Sequence, residues 1–356
     1  MSVFGHPEFD SHECLQFVHD EASGLRAIIA IHSTALGPAA GGCRRWVYTD
    51  DNAAITDVLR LSRGMTYKNA VAGLKFGGGK AVILADANTP KSPQLFRAFG
   101  RAVDSLSGRY ITAEDVGCSV EDMRHVNEET EYVSGLPKSG DAAGGDPSPL
   151  TALGVFLGIQ SAARARLGTD SFAGLRVAVQ GVGHVGLNLC RLLHEAGAKL
   201  VVADVSRDNL KLAVDELGVD VVAPNEVLFS DVDILAPCAL GNILTAHTIP
   251  DIRAKIVAGA ANNQLSTETD GALLAERGIL YAPDYVVNAG GIINVYHEYY
   301  GNSSEERVKA DIEGIPQRLD AIFAEAKQTG EATNVIADRM ARRIVAGGDD
   351  SPSQAA

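Results

Sequence analysis

Apolar positions recur with two different periods along this 356-residue chain. Between Leu15 and Ile31 they alternate and then cluster, ending in Ala27-Ile28-Ile29-Ala30-Ile31, which predicts strands that run into a turn at Leu36-Gly37-Pro38. Ile55, Val58, Leu59 and Leu61 fall near helical spacing and predict a helix over 53–64. Ala81-Val82-Ile83-Leu84 has the continuous apolar run of a buried strand. Leu95, Phe96, Phe99, Ala102 and Val103 repeat at three and four and predict a helix over 92–106. Tyr110-Ile111-Thr112 reads as a short strand. Residues 135–149 are rich in Gly, Ser, Asp and Pro without any period, which predicts a loop and a domain junction. A helix through Ala165 follows from Pro147.

The second half alternates strand and helix patterns. Arg176–Gln180 and Lys199–Ala203 read as strands, and Val185, Leu189, Leu192, Leu193 and Ala196 between them line one helical face. Further short buried strands are expected over 232–236 and 256–259. Such alternation predicts a parallel sheet with right-handed crossovers. Val308, Ile312, Ile315, Leu319, Ile322, Phe323 and Ala326 form one long helical stripe, with a kink expected at Pro316. Ile336, Met340 and Ile344 suggest a last helix, and 347–356 a disordered polar tail. The fold class is α/β with two domains. An N-terminal α/β substrate domain over 1–145 is completed by helix 331–346, and a Rossmann-type doubly wound dinucleotide-binding domain covers 146–330.

Composition narrows the function. A hydrophobic content of 46% with 21% charged residues is that of a soluble globular protein. No apolar run reaches the ~20 residues of a membrane span, and the N-terminus lacks a signal-peptide pattern. The net charge of −14 argues against nucleic acid as a partner. Cys14, Cys43, Cys118, Cys190 and Cys238 are odd in number, widely spaced and free of Cys-x-x-Cys, which points to reduced thiols, a cytoplasmic location and no structural metal.

Two stretches carry candidate chemistry. Gly77-Gly78-Gly79 costs backbone entropy and packs no side chain, so backbone must approach something closely there. Lys80 follows at the edge of a buried strand, where desolvation and a second cation at Lys68 would favour a neutral amine able to act as a base. A phosphate-loop reading fails, because Leu74 and Ala81 stand where that motif needs Gly and Ser or Thr. The second stretch, Gly181-Val182-Gly183-His184-Val185-Gly186, lies between a strand and a helix, the context a dinucleotide fingerprint requires. Asp204 closes the next strand, where an acid reads the ribose hydroxyls and repels a 2′-phosphate, so NAD is favoured over NADP.

Leu36-Gly-Pro-Ala-Ala-Gly-Gly-Cys-Arg44, Gly64-Met-Thr-Tyr-Lys68, Gly77-Gly-Gly-Lys80 and Thr112-Ala-Glu-Asp-Val-Gly117 together resemble the Glu/Leu/Phe/Val amino-acid dehydrogenase superfamily, and most closely its leucine, valine, phenylalanine and tryptophan members. The resemblance runs from about Phe17 to about Ile344. It implies that Lys68 binds the substrate carboxylate, that Lys80 is the catalytic lysine, and that Asp115 holds the amine and shuttles protons. It places Gly41 and Gly42 against the substrate. Thr151, Cys238, Asn262 and the glycine loop fall to the cofactor, Asn263 to the substrate, and Ala40, Ala113 and Ile292 to the side-chain pocket. Cys238 reads as a small filler, His184 as an exposed helix-start residue, and Trp46 as packing. Ala40 replaces the lysine of glutamate-specific members and would leave a substrate carboxylate buried without a partner. The implied activity is reversible oxidative deamination of an apolar L-amino acid, branched-chain first, with phenylalanine or tryptophan as the alternative and an inactive NAD-binding sensor as a second. A homo-oligomer is expected from the resemblance, and so is a water-excluding cleft between the domains.

Overall fold

The structure is a computed structural model that describes residues 2–86, 90–136, 145–239, 241–301 and 304–347. The expected tail from 348 on, and 137–144 of the expected junction loop, lie outside the described residues. By internal contacts the chain divides into two units. One comprises Met1–Asp146, Asn294–Glu305 and the chain from Ala341; the other comprises Pro147–Ile293 and Glu306–Met340. This division differs from the expected one at the C-terminal end, where 294–305 joins the first unit and 331–340 the second. Both changes fall inside helices, whose periodicity continues unbroken and carries no boundary signal.

In the first unit, strands β1 (Cys14–Asp20), β2 (Leu25–Ser33), β3 (Ala39–Ala40) and β4 (Cys43–Trp46) precede helix α1 (Asp51–Val71) and strand β5 (Gly77–Leu84). Helix α2 (Pro93–Asp104), strand β6 (Tyr110–Ile111) and helix α3 (Val120–Asn127) follow. The sheet order is β1-β2-β5-β3-β6, with β4 also pairing β5. β1, β2 and β5 are antiparallel, whereas β3 and β4 run parallel to β5. Both faces of β2 are covered. Ile29 and Ile31 join Ala81, Ile83, Phe96 and Phe99 on one side, and Ile28 and Ala30 join Val82, Ala54 and Val58 on the other. That double coverage is why the run 27–31 is apolar without interruption.

Helix α1 starts at Asp50, whose carboxylate caps the Ala53 amide, and it continues well past the predicted end at 64. Gly64 is therefore a helix-interior residue and Lys68 lies on the last turns. Helical propensity does not carry α1 that far; contact with β5 does. Asn69 donates to the Gly77 carbonyl at 2.6 Å, and the Thr66 backbone lies against Gly78. Trp46, expected to pack, is 53% exposed at the end of β4.

The second unit contains α4 (Ser148–Leu167), β7 (Arg176–Gln180), α5 (His184–Glu195), β8 (Lys199–Ala203), α6 (Arg207–Leu217), β9 (Asp220–Val221), β10 (Ile234–Pro237) and β11 (Ile256–Val257). It continues with α7 (Asp270–Glu276), β12 (Leu280–Tyr281) and α8 (Asp284–Val287). Helices α9 (Gly290–Tyr300), α10 (Glu305–Ile312) and α12 (Thr333–Val345) each cross the division, and α11 (Ile315–Thr329) lies within the second unit. The sheet runs β9-β8-β7-β10-β11-β12, and every pairing in it is parallel. The expected kink at Pro316 is instead a break. Pro316 stands at the start of α11, where its missing N–H costs nothing.

Candidate functional site

Lys80 is the fourth residue of β5, on the face that turns toward α1. It pairs with Ala30 across the strand, and Gly78 and Val82 flank it on that face. The three glycines before it answer to three close approaches. A Cβ on Gly77 would lie 2.0 Å from the Ser33 carbonyl, one on Gly78 2.1 Å from the Thr66 nitrogen, and one on Gly79 2.7 Å from the Tyr110 ring. None of the three has a positive φ, so proximity and not unusual dihedral angles demands glycine there.

Asp115 reaches Lys80 because the segment after β6 runs beside β4. Cys43 N–H donates to the Ala113 carbonyl at 2.8 Å and Arg45 N–H to the Val116 carbonyl at 2.9 Å. The result is an ion pair of 2.9 Å between Lys80 Nζ and Asp115 Oδ2, with the two side chains 7% and 20% exposed. Arg44 Nε donates to the same Asp115 oxygen at 3.2 Å, and its other arm donates to Asp57 at 3.1 Å. Tyr48 Oη donates to Asp57 at 2.7 Å. Burial alone would raise the Asp115 carboxyl; Lys80 and Arg44 outweigh it and bring Asp115 down to about 2. Lys80 thus has an anion as its immediate partner. The sequence reading named only a second cation, Lys68, as the group that sets its state.

Four other predicted substrate positions of this unit, Ala40, Gly41, Gly42 and Ala113, lie on β3 and the segments beside β5, and Lys68 lies on α1. Ala40 is fully buried in β3 opposite Gly78 and Ile111. Ala113 is buried. The Gly41 carbonyl accepts the Tyr110 hydroxyl at 2.6 Å, and a Cβ on Gly42 would stand 2.9 Å from Asp115 Cβ. Arg44, Asp57 and Tyr48 went unassigned in sequence, although Arg44 closes one of the motifs quoted above. Glu114 and Glu298 also went unassigned. Burial raises both carboxyls. Asp146, Glu298 and Asp115 raise Glu114 further, whereas the Gly135 and Leu136 amides donate to Glu298 and hold it back.

In the second unit the glycine loop closes the C-terminal end of β7. Gly181 has φ +91, and its carbonyl lies 2.0 Å from where a Gly186 Cβ would stand, so both positions require glycine. Among the described residues, no heavy atom lies within 4 Å of a Cβ position on Gly183, which precedes α5, and no side chain caps the helix. Val182 is buried; His184 is exposed in the first turn, as expected, beside half-buried Val185. This is a fit for a pyrophosphate, since the first amides of α5 carry no side-chain acceptor and space is open before them. Asp204 follows β8 and accepts the Val182 amide at 2.8 Å and the Ser206 amide at 2.7 Å. It therefore braces the glycine loop, a role beyond the ribose contact expected of it.

Cys238 follows β10, donating its amide to the Gln180 carbonyl at 2.7 Å. Burial pushes its thiol up to about 12, which makes it inert as a nucleophile. Asn262 and Asn263 are exposed after β11, and Asn263 has φ +52. Asn288 donates to Asn262 Oδ1 at 2.9 Å and to the Ala260 carbonyl at 3.0 Å; this brace was not foreseen. Thr151 Oγ1 donates to the Pro147 carbonyl at 3.0 Å. Ile292 is half-buried in α9, in the second unit, whereas Ala40 and Ala113, expected to share a side-chain pocket with it, belong to the first.

A parallel sheet whose order reverses between β7 and β10, with a glycine loop at that reversal, is the architecture of a dinucleotide-binding protein. The comparisons make the assignment specific. A sequence model of the Glu/Leu/Phe/Val dehydrogenase dimerisation domain matches residues 12–132, and one of Glutamate/Leucine/Phenylalanine/Valine dehydrogenase matches 146–207 and 207–346. The chain is 50% identical over 346 residues to leucine dehydrogenase of Bacillus subtilis (strain 168), covering 97% of this chain and 94% of the relative. It is 43% identical over 343 residues to phenylalanine dehydrogenase of Bacillus thermotolerans, covering 95% and 89%. The crystal structure of L-tryptophan dehydrogenase from Nostoc punctiforme matches with a TM-score of 0.82 at 48% identity, over 95% of this chain and 96% of that one. The chain belongs to the Glu/Leu/Phe/Val dehydrogenase family. It is an oxidoreductase acting on amino acids with a nicotinamide dinucleotide.

Proposed function

We propose that the enzyme catalyses the reversible, NAD-dependent oxidative deamination of an apolar L-amino acid, branched-chain substrates first, to the 2-oxo acid and ammonia. The observation that carries the reading is the buried Lys80–Asp115 pair with Arg44 behind it. A dinucleotide held by the glycine loop would supply the hydride acceptor for the substrate Cα. The chain's own residues do the rest. Lys68 pairs with the substrate carboxylate. Asp115, kept ionised by its cations, receives the substrate amino group. Lys80 in its neutral form takes a proton from the water that adds to the imine, and Asp115, 2.9 Å away, stabilises the ammonium so formed.

Fully buried Ala40 offers no charge for an acidic side chain, which supports an apolar substrate. Its small volume also keeps the aromatic alternative open, in line with the tryptophan and phenylalanine relatives. A sensor without chemistry would have no use for the intact ion pair. Asp204 supports NAD over NADP. The free thiols fit a reducing compartment, which we take to be the cytoplasm. We also take the working form to be a homo-oligomer, as the name of the N-terminal family domain suggests.

The test is kcat/KM for L-leucine, valine, isoleucine, phenylalanine, tryptophan and glutamate, with NAD and NADP in parallel. The reading expects branched-chain substrates to lead, glutamate to fail and NAD to be preferred. Activity led by glutamate would overturn it.

A further inference from the structure

His32 sits on β2 where the ladder to β5 slips. Ile31 pairs with Gly79 and Ser33 with Gly78, so His32 is the extra residue of a bulge. Its ring meets α1, where Nδ1 shares a hydrogen bond of 2.8 Å with the Thr66 hydroxyl. Two rings hold it there. His12 meets it edge to face at 4.7 Å, and Tyr67 does so from α1 at 6.2 Å. Each of these is fixed in turn. The Asp10 amide donates to His12 Nδ1 at 3.2 Å, which leaves the ring proton on Nε2, 3.1 Å from the Leu59 carbonyl. Arg342 Nε donates to the Tyr67 hydroxyl at 2.9 Å.

Thr66 is fully buried, and its hydroxyl also reaches the Ser62 carbonyl one turn back, at 3.4 Å. Three residues on, Asn69 donates to the Gly77 carbonyl at 2.6 Å. These two contacts, about a turn apart, pin one stripe of α1 to β2 and β5. The neighbouring stripe carries Met65 and Lys68, three residues apart and therefore on one face. It is set toward the substrate loop, since Met65 Cγ lies 3.0 Å from where a Gly41 Cβ would stand.

We propose that His32 is a positioning residue for substrate binding: through Thr66 it fixes the roll of α1 that presents Lys68 to the substrate carboxylate. This rests on the role given to Lys68 above. The ring acts without charge. Burial, with His12 and Arg63, outweighs Asp10 and holds His32 at about 4, so at neutral pH it works by its hydrogen bond alone. A neutral amide of similar reach can therefore replace it. An apolar side chain cannot; Thr66 then loses its short bond, and α1 is free to turn about the Asn69 anchor, taking Lys68 with it. A carboxylate contact made alike in the ground and transition states shows in KM and not in kcat.

The experiment uses the full-length enzyme. It measures kcat and KM for L-leucine and NAD, and competitive inhibition by 4-methylpentanoate and by the uncharged 4-methylpentanamide. His32→Leu should raise KM for L-leucine and Ki for the carboxylate ~10-fold, the worth of one hydrogen bond. Its kcat, KM for NAD and Ki for the amide should match the wild type. His32→Asn should restore the carboxylate affinity. Thr66→Val, which keeps the shape and removes the hydroxyl, should reproduce His32→Leu and carries the test if that variant does not fold. The double variant should be no worse than either, because the same bond is lost in all three. Equal weakening of carboxylate and amide would make His32 a merely structural residue and overturn the proposal. So would failure of asparagine to rescue, or losses that multiply in the double variant. Lys68→Ala separates the two readings. Carboxylate inhibition left intact by it would overturn the Lys68 assignment and this proposal with it. Inhibition abolished by Lys68→Ala and untouched by His32→Leu would overturn this proposal alone.

Discussion

Replacing Gly78 by alanine tests whether contact between α1 and β5 builds the site. The new methyl would stand 2.1 Å from both the backbone nitrogen and the Oγ1 of Thr66. Comfortable contact is ~3.5 Å, so helix and strand must separate by ~1.4 Å. The nitrogen belongs to the helix backbone and cannot rotate away. Overpacking of this kind costs ~1–3 kcal/mol. At the upper end, ~3 kcal/mol lowers the melting midpoint of a domain of this size by about 6–12 °C. The same shift moves α1, which carries Lys68, away from the strand that carries Lys80, so kcat/KM for L-leucine should fall ~100-fold.

Gly64 supplies the control. It lies in the interior of the same helix with nothing within 4 Å of its Cβ position. Alanine there should gain ~1 kcal/mol of helix propensity and raise the midpoint by about 2–4 °C with activity retained. Scanning calorimetry and NADH formation measure both variants. A Gly78→Ala enzyme that melts and turns over like the wild type would refute the packing argument.

Arg44→Met should remove one of the two cations holding Asp115 down, so the acid limb of the kcat/KM profile should move to higher pH; an unshifted limb counts against Arg44 as a positioning residue. His32 is half-buried, and desolvation, His12 and Arg63 outweigh Asp10 and hold it at about 4 against an ordinary 6.5. The unfolded chain therefore binds the proton first as pH falls, and stability is lost between 6.5 and about 4. At ~1.4 kcal/mol per tenfold in proton affinity this amounts to ~3 kcal/mol, which urea unfolding of wild type and His32→Gln at pH 7.5 and 4.5 would detect. Asp115 shows the same sign at lower pH. Its contribution is full above 3.8 and lost as pH falls toward about 2, so Asp115→Asn should flatten the acid end of the stability curve. Asp204→Ala should lower the ratio of NAD to NADP kcat/KM by ~10-fold or more, the value of one charge-assisted hydrogen bond; an unchanged ratio would remove Asp204 from cofactor choice.

The nucleotide unit was the more legible in sequence because its signals are local. A strand, a glycine loop and an amphipathic helix follow one another within Arg176–Glu195, and the structure keeps those bounds within a residue. The first unit was harder. Its Gly-Gly-Gly-Lys run announced a close approach, but nothing local says that Thr66, Ser33 and Tyr110 supply it. The pattern ends helix α1 seven residues too early, because its last turns owe their helicity to β5 and not to their own pattern. Pro316 was read as a kink because an apolar stripe is continuous across two helices whatever lies between them. Arg44 and Asn288 were missed for a related reason. Each acts through another side chain, Asp115 or Asn262, and such a partnership leaves no spacing in the sequence.

The central claim is that Lys80 and Asp115 together perform the deamination. The most direct measurement is NADH formation from L-leucine by wild type, Lys80→Ala, Asp115→Asn and the double variant, each first shown to be folded by its melting midpoint. Residues acting as a unit are non-additive, so either single change should cost about as much as both. Single variants that keep wild-type rates, or losses that simply multiply in the double variant, would contradict the account.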